Sequence, residues 1–328
     1  MGADIHRSLL AEGTLDRLHT VARVDTTTTI TTINDASPAD ALRLARAEVL
    51  FTHWGAPALT EDTLGRMPRL RAVVHAAGSV KHHVTDAVWK RGITVSSAAA
   101  ANALPVAEFT LAAILFANKR VLDIALDYAR TRRQPRLLPY YSGHGNYRRT
   151  VGVVGASRIG RRVIELLGPL DLHVLLYDPY LDPAAARALG AEPVGLDELA
   201  RRSDVVTIHA PQLPDTRHMF DTRRLALLRD GATLINTARG SLVDTEALLR
   251  HLVPGRIHAV LDVTEPDVPP ADSPLYTLPN VLLTPHIAGS LGNELGRMTD
   301  WATDEVGRYA QGLPFAYGVG PDELTRSA

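Results

Sequence analysis

Between positions 150 and 287, short apolar runs alternate with segments of helical period. This alternation constrains the fold more than any other feature of the chain. "TVGVVG" reads as a strand, "SRIGRRVIELLG" as a helix, "LHVLLYD" as a strand, "GLDELARRS" as a helix and "DVVTIHAP" as a strand. Helix "DTRRLALLR", strand "ATLINTA", helix "DTEALLRHL" and the strands "IHAVLDV" and "NVLLTPHI" complete the series. Parallel strands need crossovers of this length, and six of them in this order make a complete doubly wound nucleotide-binding domain.

Before position 150 a shorter alternation is legible. "HTVARVD", "EVLFTHW", "LRAVVHAAGS" and "ITVSSA" have strand character. "SPADALRLARA", opening on a Ser N-cap, and "TDAVWKRG" have helical character. The run "TTTTITT" at 26–32 is expected to be a strand end with a loop. "ALPVAEFTLAAILFANKRV", at 103–121, is expected to be one long helix, apolar on most sides. Such a helix is buried, packed between domains or placed at a subunit interface. "DYARTRRQPRLLPYYSGHGNYRR" loses periodicity and is expected to be a connecting loop, its arginines facing solvent or an interface. "ELGRMTDWATDEVGRYAQG" is a further helix after the doubly wound series and is expected to pack back on the N-terminal part. The expected architecture is α/β with two Rossmann-like or flavodoxin-like domains built on parallel sheets. Residues 102–290 form the doubly wound domain, inserted in a discontinuous domain of residues 1–101 and 291–328.

Composition narrows the function classes. A chain of 328 residues can bury two cores, and 45% hydrophobic with 22% charged residues is ordinary for a globular protein. A net charge of -1 offers a polyanion no general attraction, so nucleic acid is not an expected partner. The absence of cysteine excludes disulfides, thiolate nucleophiles and cysteine-ligated zinc, and fits a reducing cytoplasm. "MGADIHRSLLAEG" has no apolar signal core and no run is read as approaching membrane-spanning length, so a cytoplasmic location without membrane contact is expected. No closely spaced His/Asp/Glu group resembles a metal shell.

The turn "GVVGASRIG" has its first and third expected glycines at Gly155 and Gly160, but Ser157 stands at the second. The first glycine of such a turn permits the bend, the second lets a pyrophosphate approach, and the third lets helix and strand pack closely. Serine is tolerable there if its φ stays negative, and its hydroxyl can donate to a phosphate at the helix N-terminus. About 20 residues on, "LLYDPY" ends a strand at Asp178, where a carboxylate can bind an adenosine ribose. A carboxylate repels a 2′-phosphate and no arginine follows at once, so NAD is favoured over NADP. The alternative for Asp178 is a strand-end cap before Pro179.

With these stand "INTARGSLVD", "LDVTEPDVPPADSPLY", "LTPHIAGS", "HAPQLPDTRHMF" and "ANALPVAEFTLAAIL". Together, in order and over nearly the whole chain, they resemble the D-isomer-specific 2-hydroxyacid dehydrogenase family of phosphoglycerate dehydrogenase-like NAD-binding proteins. The resemblance implies an oxidoreductase that interconverts a small 2-hydroxy acid and its 2-oxo acid with NAD, acting as a homodimer. It implies that Arg239 binds the substrate carboxylate and polarises the reacting oxygen, a task suited to a forked guanidinium. It implies His286 as general acid/base and Glu265 as the carboxylate that orients His286 and favours its protonated form. It also places Arg158, Ile159, Pro179, His209, Pro211, Thr216, Thr237, Ala238, Asp262 and Gly289 near the dinucleotide, beside Gly155, Ser157, Gly160, Asp178 and His286. Asp262 would hold the nicotinamide carboxamide; the alternative pairs it with Arg239 or another strand-end donor. Taken singly, an Arg after a strand is a surface charge and a Glu before Pro is a turn residue. His258 matches nothing catalytic and is expected to be structural.

The chain departs from the family in its N-terminal substrate loop, which reads "AAGSVKHHVTD" where the family pattern is like "AGVGVDNID". Ala77, Gly78 and Ser79 keep the small residues whose backbone would hold the substrate carboxylate, but the acidic and asparagine positions have become Lys81, His82 and His83. Either these cationic side chains suit a second anionic group on the substrate, a phosphonate or carboxylate, or they point away and only the backbone makes contact. His53 and Trp54 in "FTHWG" are further candidates for a cleft wall. Two other functions share the scaffold: an NAD(H)-sensing, co-repressor-like binding protein, and a formate- or phosphite-type dehydrogenase.

Overall fold

The computed structural model describes residues 12–25, 29–134 and 143–324. It is an α/β protein that divides into two compact units, Met1–Ala103 with Ser290–Ser327, and Leu104–Gly289.

The second unit is a seven-stranded, wholly parallel sheet. Numbered after β1 (Val49–Thr52), β2 (Ala72–His75) and β3 (Thr94–Ser97) of the first unit, its strands are β4 (Thr150–Val154), β5 (His173–Tyr177), β6 (Glu192–Pro193), β7 (Val205–Ile208), β8 (Thr233–Asn236), β9 (His258–Leu261) and β10 (Val281–Leu283). They lie in the order β10-β9-β8-β7-β4-β5-β6. The order reverses between β4 and β7, the switch point outside whose carboxyl ends open α/β sheets bind ligands. The six strands expected from periodicity are all present. The seventh, β6, spans two residues and was missed because so short an edge strand has no period to read.

Both faces of this sheet are covered. Val151 and Val153 of β4 pack with Val163, Ile164 and Leu167 of the helix Arg158–Leu167 and with Ala107 and Ile114 of the helix Ala99–Lys119. Val206, Leu234 and Leu261 face the other way, onto Leu199, Leu225 and Leu248. The helix Ala99–Lys119 has 21 residues and an 18-residue stretch of mean hydropathy 1.6, so by length and composition it could cross a membrane. The expectation that no run reaches that length is thereby corrected. In this fold the helix serves the core, with Ala101, Ala107, Thr110 and Ile114 buried.

The first unit is built on β1 (Val49–Thr52), β2 (Ala72–His75) and β3 (Thr94–Ser97), which pair in parallel, and β11 (Gly318–Val319), which pairs antiparallel to β3. Its sheet is therefore mixed, where a parallel one was expected. "HTVARVD" is not a strand: His19–Val21 close the helix Glu12–Val21, whose Leu18 is buried with Val74, Ala302 and Val306. Burial of one helical face overrides the β-branched composition. Of the threonine run, 26–28 lie outside the described residues and 29–32 have no regular structure.

The helix Glu294–Ala310 belongs to this first unit. Arg17 bridges to Asp300 and Asp304, each at 2.6 Å, although such exposed pairs contribute little. Glu305 matters more. Its buried carboxylate accepts the N–H groups of Ala316 (2.9 Å) and Tyr317 (3.1 Å), and so aims the chain into β11. Tyr317 in turn stacks on Trp301, with ring centroids 4.6 Å apart. Replacing Glu305 with Ala should strand both N–H groups and cost about 2–3 kcal/mol. Trp54, Trp89 and Trp301 all lie in this unit, so tryptophan emission during urea unfolding reads that loss directly, as a lower midpoint.

Candidate active site

Gly155, Asp178, His209, Thr237 and Asp262 each stand immediately after a strand, β4, β5, β7, β8 and β9 in turn. The candidates that sequence scattered over a hundred positions thus gather at one sheet edge.

At the switch point Gly155 has φ +96°, and a Cβ there would lie 2.9 Å from the backbone N of Ala210. A Cβ on Gly160 would lie 2.0 Å from the carbonyl O of Gly155. Both positions therefore require glycine. Ser157 does not, because its φ is -63°. It caps the helix Arg158–Leu167, its Oγ accepting from the N–H of Gly160 at 3.3 Å. The missing middle glycine is thus an N-cap. Arg158 is exposed and Ile159 half-buried in the first helical turn.

Asp178 accepts from the N–H of Ala156 (2.6 Å) through Oδ2 and from the N–H of Tyr180 (2.8 Å) through Oδ1. It ties the glycine turn to the end of β5, and two of its roughly four lone-pair sites remain. Pro179 beside it is exposed. His209 is buried, with Nε2 2.9 Å from the Thr207 hydroxyl, and burial pushes its pKa down to about 3. Its imidazole is a neutral core group behind the turn, where a cofactor-lining side chain was expected. The loop after it is closed by Thr216, whose hydroxyl accepts from the N–H of Leu213 (2.9 Å) and donates to the carbonyl of Pro211 (2.7 Å).

The ends of β8, β9 and β10 hold the expected catalytic residues. Asn236 shapes the turn carrying Arg239: its Oδ1 accepts from the N–H of Ala238 (3.1 Å) and its Nδ2 donates to the carbonyl of Arg239 (2.9 Å). Thr237 meets the hydroxyl of Thr110 at 3.2 Å. Burial holds the Arg239 guanidinium below its ordinary pKa, with Asp267 opposing, and one of its donors is used by the Ala238 carbonyl at 2.6 Å. A Cβ on Gly240 would lie 2.0 Å from the carbonyl of Thr264, so the Arg239 turn and the Glu265 turn abut.

Glu265 does not meet His286. Its Oε1 takes Arg217 (2.6 Å) and its Oε2 takes His218 (3.1 Å), and Arg217 foremost holds its pKa below the usual carboxylate range. Residues 217 and 218 follow the Pro214–Thr216 turn and reach the carboxylate first.

Asp262 is likewise engaged. Buried at 2% exposure, it accepts from the Thr284 hydroxyl (2.7 Å) and the N–H of Ile287 (2.7 Å) through Oδ1, and from the N–H of Ala288 (2.9 Å) through Oδ2. Its carbonyl takes the N–H of His286 at 2.9 Å. His286 sits in this turn at φ +57°, the left-handed region that only a few per cent of non-glycine residues adopt. Of the two readings of Asp262, strand-end donors occupy it, none of them Arg239; it organises the turn that carries His286 and ends at half-buried Gly289.

In the first unit Ala77 and Gly78 are buried and Ser79 half-buried, its Oγ 3.4 Å from the N–H of Lys81. Asn102 flanks the loop, with Nδ2 3.4 Å from where a Gly78 Cβ would be and Oδ1 accepting from the N–H of Ser290 (2.9 Å). His82 is exposed, whereas His83 turns inward and donates from Nδ1 to the carbonyl of Pro57 at 2.6 Å. His83 is therefore not a cationic surface group. His258 pairs with Asp123 at 3.2 Å, a structural contact as expected.

The family model for the D-isomer specific 2-hydroxyacid dehydrogenase NAD binding domain matches residues 111–288. The chain belongs to this dehydrogenase family. It is 33% identical to a D-3-phosphoglycerate dehydrogenase of Methanocaldococcus jannaschii over 76% of this chain and 47% of that one. The chain thus spans about half the length of the first curated relatives it matches. It is 33% identical to a glyoxylate reductase of Aeropyrum pernix over 76% of both chains. A D-lactate dehydrogenase of Aquifex aeolicus, solved with NAD and lactic acid, superposes with a TM-score of 0.70 at 29% identity over 92% of this chain and 93% of that one. The family's NAD-binding domain is the unit whose switch point carries Gly155, Gly160 and Asp178. Arg217, His218 and Asn236 were not singled out from sequence, although they stand inside the quoted "DTRHMF" and "INTARG"; no pattern marks which charged residue will reach a carboxylate.

Two measurements probe this edge. Asp262→Asn should leave the 284–288 turn short of acceptors, and hydrogen exchange should show the amides of Ile287 and Ala288 exchanging at least about tenfold faster. The second concerns buried imidazoles of the first unit. Burial pushes His53 down to about 4 and His75 to about 3, and it lowers His83 as well. The unfolded chain takes these protons as pH falls through about 6.5, while the folded unit refuses them. The stability from neutral rings is complete above that value and is lost on acidification towards about 4. At pH 5 the loss should be roughly 2 kcal/mol for each of His53 and His75. A urea midpoint by tryptophan emission that does not move between pH 7 and 5 would refute this.

Proposed function

We propose that this protein is an NAD-dependent dehydrogenase interconverting a small 2-hydroxy acid and its 2-oxo acid, with Arg239, Glu265 and His286 as the catalytic group. The observation that carries the reading is the position of these residues just beyond the ends of three adjacent parallel strands, β8, β9 and β10. The Aquifex relative solved with NAD and lactic acid supports the same chemistry.

The residues present suit NAD. Gly155, where a Cβ would strike the backbone, keeps the turn bare for a pyrophosphate, with Ser157, Arg158, Ile159 and Gly160 at the helix N-terminus. Asp178 and Pro179 face the ribose; the open acceptor sites of Asp178 suit hydroxyls, and its charge opposes a 2′-phosphate. Pro211, Thr216, Thr237, Ala238, Asp262 and Gly289 line the remainder. NAD, when bound, supplies a hydride acceptor or donor for the substrate carbon.

Arg239 has four of its five N–H donors beyond the one given to Ala238, enough for a bidentate grip on a carboxylate. Its partial burial strengthens that ion pair. His286 takes the proton from the substrate hydroxyl oxygen during oxidation and returns it during reduction. Glu265 makes no hydrogen bond to His286 in this structure, but it retains two acceptor sites after Arg217 and His218, and we assign one of them to the His286 ring during turnover. We assign residues 1–101 and 291–328 to substrate binding, with Ala77, Gly78 and Ser79 presenting backbone to an anionic substrate, and residues 102–290 to NAD. The exposed Phe116, Leu126 and Tyr128 suit a homodimer interface. A cytoplasmic enzyme without nucleic-acid or membrane partners completes the proposal.

The test follows NADH absorbance with a panel of 2-oxo acids, and NAD with formate and phosphite. His286→Ala should lower kcat by about 100- to 10,000-fold while leaving NADH affinity nearly unchanged. Loss of NADH binding in that variant, or turnover of formate or phosphite alone, would overturn the assignment.

A further inference from the structure

A polar cavity of about 260 Å³ lies in the second unit at the amino ends of β4, β7 and β8, the edge of the sheet opposite the one that carries Gly155 and Asp178. Four stretches of chain wall it. They are the end of the helix Ala99–Lys119 with Arg120, residues 143–144, the residues Arg149 and Asp204 directly before β4 and β7, and the turn at 229–233. The proposed proton and hydride transfers use none of them.

Guanidiniums outnumber carboxylates in this wall. Asp204 Oδ1 takes Arg149 at 2.9 Å and lies 3.7 Å from Arg229, while its Oδ2 accepts the N–H of Thr150 at 2.8 Å. Two guanidiniums thus converge on a single oxygen. Asp230 is 88% exposed and pairs with Arg256 at 3.2 Å. Arg120 is only 16% exposed, and its guanidinium donates to two neutral groups, the carbonyl of Gly231 and the Thr233 hydroxyl at 3.5 Å. The carboxylate it approaches, Asp123, is 4.0 Å away and nearer to His258, at 3.2 Å. Burial foremost holds Arg120 below its ordinary pKa; Asp123 opposes this, and the charge of Arg149 adds to it. A buried charge without a counter-ion at hydrogen-bond distance is costly. A neutral glutamine could bond the same carbonyl, so the charge itself calls for an anion.

We propose that this cavity binds a phosphate group, free or as a monoester, at a site separate from the dinucleotide turn. Arg120 has three N–H donors beyond those given to Gly231 and Thr233. Arg149 gives Nη1 to Asp204 and Nε to the carbonyl of Gly145, and its Nη2 lies 3.8 Å from where a Cβ on Gly143 would be, on the cavity wall. Arg229 supplies a third fork at the rim. Three guanidiniums set against Asp204 alone leave two positive charges, the number a phosphate dianion balances, and planar forks suit its oxygens. Asp204, held by two arginines and an N–H, keeps Arg149 aimed. The cavity has many times the space one water needs, enough for a phosphate with a short ester chain.

Calorimetry on the full chain saturated with NADH, which fills the dinucleotide turn, tests the site with inorganic phosphate and with glycerol phosphate at constant ionic strength. At least one of the two should bind, one per chain, with a Kd below about 1 mM. Arg120→Gln and Arg149→Gln should each weaken that binding at least about tenfold. Tighter binding of the ester assigns the site to a phosphorylated metabolite, and tighter binding of the free ion assigns it to phosphate itself. No saturable binding of either, or an affinity undiminished in either variant, overturns the proposal. Because both arginines also brace the fold, the wild-type protein provides a second reading. The side-chain nitrogen resonances of Arg120 and Arg149 should move with phosphate and not with chloride; resonances that stay in place, or move equally with both, overturn it. If NADH does not bind, the dehydrogenase reading fails by itself, and these resonances alone decide the phosphate site.

Discussion

The carboxylate of Asp262 is the constraint on which the candidate site depends. It sits buried at the end of β9 and gathers the Thr284 hydroxyl and the N–H groups of Ile287 and Ala288. A left-handed histidine costs of order 1 kcal/mol or more, and hydrogen bonds to a charged acceptor contribute about 1.5–3 kcal/mol each. The turn is therefore held with His286 in place at the end of β10. A residue expected to touch the cofactor thus has a prior task in positioning His286.

The same economy recurs at the switch point. Asp178 binds the N–H of Ala156 before any ribose arrives, and Ser157 caps the helix that a pyrophosphate would face. The residues most suited to a ligand also brace the loops that present them. This is how preorganisation is achieved on a loop: the donors are fixed before binding, so little ordering remains to be done. Glu265 shows the other side of this arrangement, since Arg217 and His218 engage it and set its ionisation.

The buried histidines divide by partner. His209 meets Thr207 and His75 meets Thr52, so each has one ring nitrogen matched within its own unit. His53 has neither nitrogen matched, and His83 only one. Unmet nitrogens do not separate a core histidine from the others, since Nδ1 of His209 is buried without a partner just as Nε2 of His83 is, and burial is the foremost cause lowering all four.

Sequence by itself determined the α/β class, the six longer strands of the second unit, and the residues Gly155, Gly160, Asp178, Arg239, Glu265 and His286 as members of one pattern. Those features are local: a period of two or 3.6, a glycine demanded by positive φ, a motif of fixed spacing. Tertiary structure alone decided that β6 and β11 exist, that β11 runs antiparallel, and that "HTVARVD" ends a helix. It decided too that Ser157 is a cap, that Glu265 faces Arg217 and His218, and that Asp262 holds the His286 turn. Each of these depends on a partner distant in sequence, and a hydrogen-bonding side chain carries no mark of which distant group it will meet. Length and charge of a side chain set what it can bind; only the packing of strands sets what lies within about 3 Å of it.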